Sequence, residues 1–363
     1  MVKIAHFSKK IALTLSILSV SAASFAQDDI GAIVKAGAGD ATKLAQAYLN
    51  PFFRGFGFGM NSGWFNSAKT KNLGKFDLRI QATGAFVPPA EQRFDVNTLG
   101  LSSNTKLKPG SSPMSPTLFG DDISGSTLQV FGNDNPSTVG VDESQFALAE
   151  FQMPEGTGFN IAPSPQVQLT VGLIKNTDVS VRFVPSTKLG DGGQINSWGV
   201  GIKKEITSFL PGKSEKIIPV DISLAFGYNQ VNVDYKFAIE DQINEGPNPN
   251  ADLNQRIESK LSGFTVDAIL SKKLAVFTPF VSVGYNTAKT ELGILGDYII
   301  QSGLAPNDTE TIKDPVVINE KSISGMRAGV GFSLHLAIFR LYGAYNIGEY
   351  NAVTAGIGFG IGK

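Results

Sequence analysis

Eight charged residues sit where a strand would otherwise be apolar: Asp77, Arg79, Arg182, Lys203, Asp221, Asp267, Arg327 and Arg340. Their neighbours include Leu78, Val181, Ile202, Ile222, Val266, Met326 and Leu341, so each charge falls on the polar phase of a period-two pattern. Five cations and three anions on one phase allow two chemistries. They can pair with one another and fill an interior, or they can line a solute path and select by charge.

Hydrolytic chemistry has fewer candidates, because it needs a nucleophile and a base. The chain has two histidines and no cysteine. His6 lies in the leader described below, and His335 falls in an expected tight turn without a catalytic partner. No zinc-type cluster is present in the sequence. Asp121, Asp122, Asp134, Asn135, Asp142 and Glu143 group together, but their spacing does not match a calcium loop, and they read as a solvated acidic segment. The glycines of Gly55-Phe56-Gly57-Phe58-Gly59 are expected to open a strand, not the strand-to-helix turn of a phosphate cradle. The expectation is a chain with no enzymatic activity, no metal and no cofactor.

The elements that position the charges are strands with one apolar face. Val167, Leu169, Val171 and Leu173 interleave with Gln166, Gln168, Thr170 and Gly172; Val353, Ala355, Ile357, Phe359 and Ile361 interleave with Thr354, Gly356, Gly358 and Gly360. That alternation, with little sign of a second apolar core layer, is what a transmembrane β-barrel needs, with one face to lipid and one to a polar lumen. Ionised groups on the lipid side would cost a few kcal/mol each near the midplane, so the eight charges are expected to face inward. Forty glycines suit a crowded lumen, and twenty-five phenylalanines suit the lipid face and its interfacial girdles.

Residues 1–26 read as a secretory leader: Lys3, Lys9 and Lys10, an apolar run from Ile11 to Val20, and a Ser24-Phe25-Ala26 cleavage site. The formal charge of the whole chain is −1, and removing three lysines and no acids leaves about −4. That argues against a nucleic-acid partner, which demands a basic surface. The expected partners are outer-membrane lipid and a small hydrophobic solute.

Twelve strands are expected, with ten to fourteen allowed, at about 56–68, 75–87, 92–98, 164–174, 178–186, 195–206, 219–233, 260–271, 274–288, 321–334, 338–347 and 351–362. The fold class is thus an all-β transmembrane antiparallel barrel, occupying 54–363. Short connections at Val87 to Gln92, Lys175 to Thr177, Ser208 to Ile218, Ser271 to Lys273 and His335 to Ile338 are expected in the periplasm. Loops 99–160, 236–259 and 290–320 are expected outside, with both chain ends periplasmic. Ahead of the barrel, residues 27–53 form a short helical segment that stops at Asn50-Pro51. Leu44, Tyr48, Asn50, Pro51, Phe52 and Phe53 are its anchors, either as a helix packed at the barrel's mouth or as a plug in its lumen.

Two blocks carry a resemblance. Gly37-Ala38-Gly39-Asp40-Ala41 through Tyr48-Leu49-Asn50-Pro51, then Gly63-Trp64-Phe65-Asn66-Ser67-Ala68, form the first. Asn176-Thr177-Asp178-Val179-Ser180-Val181-Arg182-Phe183-Val184-Pro185, Gly199-Val200-Gly201-Ile202-Lys203-Lys204-Glu205-Ile206, Leu210-Pro211-Gly212 and Pro219-Val220-Asp221 form the second. Together they resemble an uncharacterised outer-membrane family found in Bacteroidota. A weaker similarity runs to long-chain fatty-acid transporter barrels, whose N-terminal segment ends in Asn-Pro and plugs the barrel. Here that pair is followed by Phe52, and twelve strands is fewer than those barrels have.

The resemblance implies a location and a fold. The leading expectation for function is passive passage of a small hydrophobic or amphipathic solute across the outer membrane. The alternative is a structural or surface-binding barrel closed by its own side chains. A gap between strands would favour the first, and a lumen blocked by its charges the second.

Overall fold

The computed structural model describes residues 33–132, 145–189, 192–207, 220–236, 253–302 and 309–361. The leader, 1–26, lies outside them, as do Asp134, Asn135, Asp142 and Glu143 of the acidic group. A helix, α1 (Ala38–Asn61), precedes strand β1 (Phe76–Phe86). Five short strands follow: β2 (Arg93–Asp95), β3 (Thr105–Leu107), β4 (Met114–Pro116), β5 (Thr127–Phe131) and β6 (Ala147–Gln152). Then come β7 (Ile161–Leu173), β8 (Thr177–Leu189), β9 (Gly193–Glu205), β10 (Asp221–Lys236), β11 (Arg256–Ser271) and β12 (Phe277–Leu295). The hairpin β13 (Asp297–Gln301) and β14 (Thr309–Lys313) leads to β15 (Val316–Leu336), β16 (Phe339–Ile347) and β17 (Asn351–Ile361).

Ten of these strands close into one barrel, in the order β1, β17, β16, β15, β12, β11, β10, β9, β8, β7. Period-two alternation drives this closure, because each strand buries every second residue and leaves the other face apolar. Leu78 stands opposite both Phe359 and Leu169, Leu169 opposite Val181, and Val181 opposite Val200, forming a continuous exposed apolar band. Closure pairs the sheet edges around the ring, apart from one stretch between β7 and β8. Where the connections are short, Phe76, Phe339 and Phe359 cluster with ring centroids 6.4 and 6.5 Å apart, as an interfacial girdle does. No described helix is long and apolar enough to cross a membrane.

At the girdle end the connections are 174–176, 206–220, 272–276 and 337–338; at the other end they include 87–160, 237–255 and 296–315. The long 87–160 connection is folded. β2 pairs with β4, and β3, β5 and β6 form a small sheet. Phe119, Leu128, Phe151 and Met153 from this cap bury Ile33, Val34 and Leu44 in one apolar cluster.

Several sequence expectations are corrected. The barrel has ten strands, not twelve. The expected strand 56–68 is the second half of α1 and an irregular lumenal run, so the glycines 55–59 belong to a helix. Expected strand 92–98 shrinks to three-residue β2 in the cap, and Val87 to Gln92 begins the long connection instead of forming a short turn. α1 continues through Pro51 for ten more residues. Proline in a helix interior removes one backbone bond and costs about 3 kcal/mol, but this one is buried and the helix beyond it is enclosed by the barrel wall. The N-terminal segment was expected on the short-turn side. Instead α1 starts under the long-loop cap and runs down the lumen, and residues 62–75 carry the chain to the short-turn end, where Gly74 N–H bonds Gly172 O.

Candidate functional site

A helix about 10 Å across fits inside a ten-strand barrel only if its surface is trimmed. Gly55 and Gly57 do this. A Cβ at Gly55 would stand 2.6 Å from Ala162 Cβ on β7, and one at Gly57 would stand 2.7 Å from Ala288 Cβ on β12. Glycine lowers helix propensity by about 1 kcal/mol per residue, and here the close approach to the wall offsets it. The other anchors sit higher: Leu44, Pro51 and Phe53 are buried, Tyr48, Asn50 and Phe52 half-buried, and Phe52 packs 6.3 Å from Phe119 of the cap. Asp40 accepts from Ser102 N–H and hydroxyl, fixing the first turn of α1 to the cap.

The last turn of a helix leaves carbonyls without backbone donors and carries the negative end of the helix dipole. Arginines from three strands meet that end. Arg182 Nη1 donates to Met60 O at 2.7 Å and its Nη2 to Ser62 O at 2.9 Å. Arg327 Nη1 reaches Asn61 O at 2.8 Å, and Arg79 Nη2 reaches Trp64 O at 2.9 Å. Gln166, Gln168 and Asn229 add amide donors to Gly59, Trp64 and Met60 carbonyls. Asp267 chelates Arg327 at 3.0 and 2.6 Å. Trp64 is sandwiched: Gly199, Gly201 and Gly227 give it a flat floor, where an added Cβ would lie 2.6–3.2 Å from the indole, and the Arg182 guanidinium covers its other face at 3.8 Å.

A second cluster closes the short-turn mouth. Arg340 pairs with Asp77 at 3.2 Å, and Tyr342 Oη donates to both Asp77 oxygens at 2.9 and 2.8 Å. Lys203 pairs with Asp178 at 3.1 Å and also donates to Ser67 O and Lys69 O. Lys69 bridges Glu205 and Asp221, both at 3.3 Å. Lys71 lies 4.0 Å from Asp77, and burial pushes its ammonium down to about 8. Two cavities beside the lumenal run, about 30 and 20 Å³, have room for roughly one water each.

The wall itself is interrupted. β7 pairs with β1 from Ile161 to Val171, and β8 pairs with β9 from Thr177 to Leu189. Yet β7 and β8 pair with each other only from Leu173↔Thr177 to Gln168↔Arg182. Beyond Arg182 both strands continue toward the long-loop end without a ladder between them. Pro163, Pro165 and Pro185 lie in this stretch, and a bulge interrupts β8 between Val184 and Thr187. Proline has no N–H to give a ladder and belongs on unpaired edges and at bulges. The larger cavity sits in this opening, lined by Phe56, Met60, Gln166 and Val184 within and by Val167, Phe183 and Trp198 toward the outside.

The structure thus brings Arg79, Arg182, Asp267 and Arg327 around the end of α1, and Asp77, Lys203, Asp221 and Arg340 around the short-turn mouth. Seven of the eight are buried, and Asp221 is half-exposed. Sequence reasoning passed over Asp178 and Glu205, although they share the polar phase with Arg182 and Lys203. It also passed over Trp64 and its glycine floor, because the meeting of residues 64, 199, 201 and 227 is not a local pattern.

Known proteins of this architecture match at low identity. OmpT, the outer membrane protease of Escherichia coli, is 11% identical with a TM-score of 0.32, covering 81% of this chain and 100% of that one. The translocator domain of the autotransporter NalP from Neisseria meningitidis is 8% identical with a TM-score of 0.27, covering 81% and 90%. The toluene transporter TbuX of Ralstonia pickettii is 8% identical with a TM-score of 0.20, covering 85% and 97%. No curated protein sequence matches. A family model matches residues 7–361, and on that match, which spans the lumenal helix and the barrel together, the chain belongs to a family of unknown function (DUF6588).

Proposed function

We propose that this chain is a bacterial outer-membrane barrel that admits a small hydrophobic or amphipathic solute sideways, through the opening between β7 and β8, with α1 as the element that yields. The exposed apolar band and the aromatic girdle support the membrane setting. The interrupted ladder after Gln168↔Arg182 carries the transport reading, because a solute leaving lipid needs a break in the hydrogen-bonded wall. The long-loop end would then face outside and the short turns the periplasm. The reading assigns no catalytic role, and His335 lies near the short-turn end, away from the opening.

The competing reading is a closed surface barrel whose cap binds a partner. The filled lumen favours it, since α1 and residues 62–75 occupy it and the two cavities beside them are water-sized. One cross-link separates the two. The chain has no native cysteine, and a Cβ at Gly59 would lie 3.0 Å from Ser164 Cβ beside the opening, closer than the roughly 3.5–4.5 Å a disulfide spans, so a G59C/S164C disulfide would fasten α1 to β7 once the helix shifts by about half an ångström. In liposomes, flux of a fluorescent alkyl probe is expected when the pair is reduced and lost when it is oxidised. No flux in either state would leave the surface-barrel reading, and equal flux in both would overturn α1 as the element that yields.

A further inference from the structure

The opening in the wall ends at a charge without a counter-charge. Gln168↔Arg182 is the last rung of the β7–β8 ladder; the next residue, Phe183, turns outward and is 59% exposed, while Arg182 turns inward and is 4% exposed. Its partners are Met60 O, Ser62 O, Gln168 Oε1, the Asn229 amide oxygen at 3.4 Å and the face of Trp64. All are neutral. Arg327, Arg340 and Lys203 each hold a carboxylate, whereas Arg182, like Arg79 on β1, makes no ion pair among the described residues, and of those two only Arg182 lines the opening. A buried guanidinium bonded only to neutral acceptors is under-compensated. An anion presenting two oxygens would bind it more strongly than the two carbonyls do, because a bidentate pair of opposite charges adds Coulombic attraction to two parallel hydrogen bonds.

Around this cation the cleft changes character across a single strand. Ser164, Gln166, Arg182, Val184 and Asn229 line its inner side, and Val167, Phe183 and Trp198 its outer side. We propose that the opening is a binding cleft for a single-chain amphiphile with an anionic head, its tail along Val167, Phe183 and Trp198 and its head on Arg182. The proposal rests on the side-opening reading above and names the solute class. The cleft in this state holds only about 30 Å³ of free space, so the head must take the guanidinium from Met60 O and Ser62 O. Binding therefore removes two of the bonds that hold the end of α1. By linkage, whatever loosens α1 tightens the ligand, and the ligand loosens α1 to the same degree.

Both tryptophans of the chain report on this site: Trp64 stacks under Arg182 and Trp198 lines the outer side. Intrinsic fluorescence of the full-length protein in nanodiscs is titrated with dodecanoate, dodecyl phosphate and dodecanol. The wild type is expected to bind both anionic probes at least tenfold more tightly than the alcohol. R182Q is expected to lose that preference, and R182K, which keeps the charge but not the fork, to retain part of it. R79Q removes one of the two donors to Trp64 O from β1, on the far side of Gln168 from Arg182 and outside the residues that line the cleft, and is expected to bind dodecanoate at least as tightly as wild type. Equal affinity for all three probes in wild type, or an unchanged preference in R182Q, overturns the head-group assignment while leaving the side opening standing. No saturable response to any probe overturns both. Preference for dodecanoate alone would narrow the head to a carboxylate, and for dodecyl phosphate alone to a phosphate.

Discussion

At the scale of single residues, the lumen charges are structural parts with assigned neighbours. Arg327 links the wall to Asn61 O while Asp267 neutralises it, so removing the cation strands a buried carboxylate. Arg327→Met is expected to cost about 3–5 kcal/mol, and adding Asp267→Asn to recover a good part of it; reversible denaturant unfolding in lipid measures both. Lys71 gives a pH signature. Its folded pKa is depressed to about 8 from 10.5, so between those values the unfolded chain holds a proton that the folded chain releases. Stability should therefore rise as pH goes from 8 to 10.5, with the cost fully present below 8. The wild type is expected to gain stability over that interval relative to Lys71→Met, and parallel curves for the two proteins would contradict it.

At the scale of elements, α1 depends on its missing side chains more than on its own propensity. Pro51 and three glycines spaced two apart would end most helices, and here the wall selects them. Gly57→Ala is expected to lower the thermal midpoint by several degrees, since the new methyl meets Ala288 Cβ at 2.7 Å. Ala288→Gly placed in the same chain should restore part of the loss by clearing that contact. An additive double mutant would mean that the two positions do not share a boundary.

At the scale of the whole molecule, the path of the chain makes a topological statement. Lys35 lies exposed just ahead of α1 at the long-loop end, and Lys175 lies exposed in a short turn at the other. With the short turns in the periplasm, Lys35→Cys on intact cells is expected to react with a membrane-impermeant maleimide and Lys175→Cys to react only after the outer membrane is opened. The reverse pattern would invert the barrel. The apolar band makes a second statement: Leu169→Arg should destabilise by about 2–4 kcal/mol if that side chain meets lipid near the midplane.

The sequence by itself determined what repeats every two residues. Leu169, Val181 and Phe359 fall on the outward phase, and Arg79, Arg182 and Arg327 on the inward one, because a strand offers two faces and charge is costly on the lipid side. It also located a helix at Asp40 to Tyr48, with Leu44 and Phe53 among its anchors. Tertiary structure alone decided how far that helix runs and where it goes. Gly55 to Met60 alternates glycine with apolar residues as a strand does, and only the surrounding wall makes the helical answer the better packed one. The pairing of Arg182 with Met60 O spans 122 residues, and the unpaired stretch of β7 and β8 depends on which strands become neighbours. Contacts of that kind carry no local period, so they became visible only once the ring had closed.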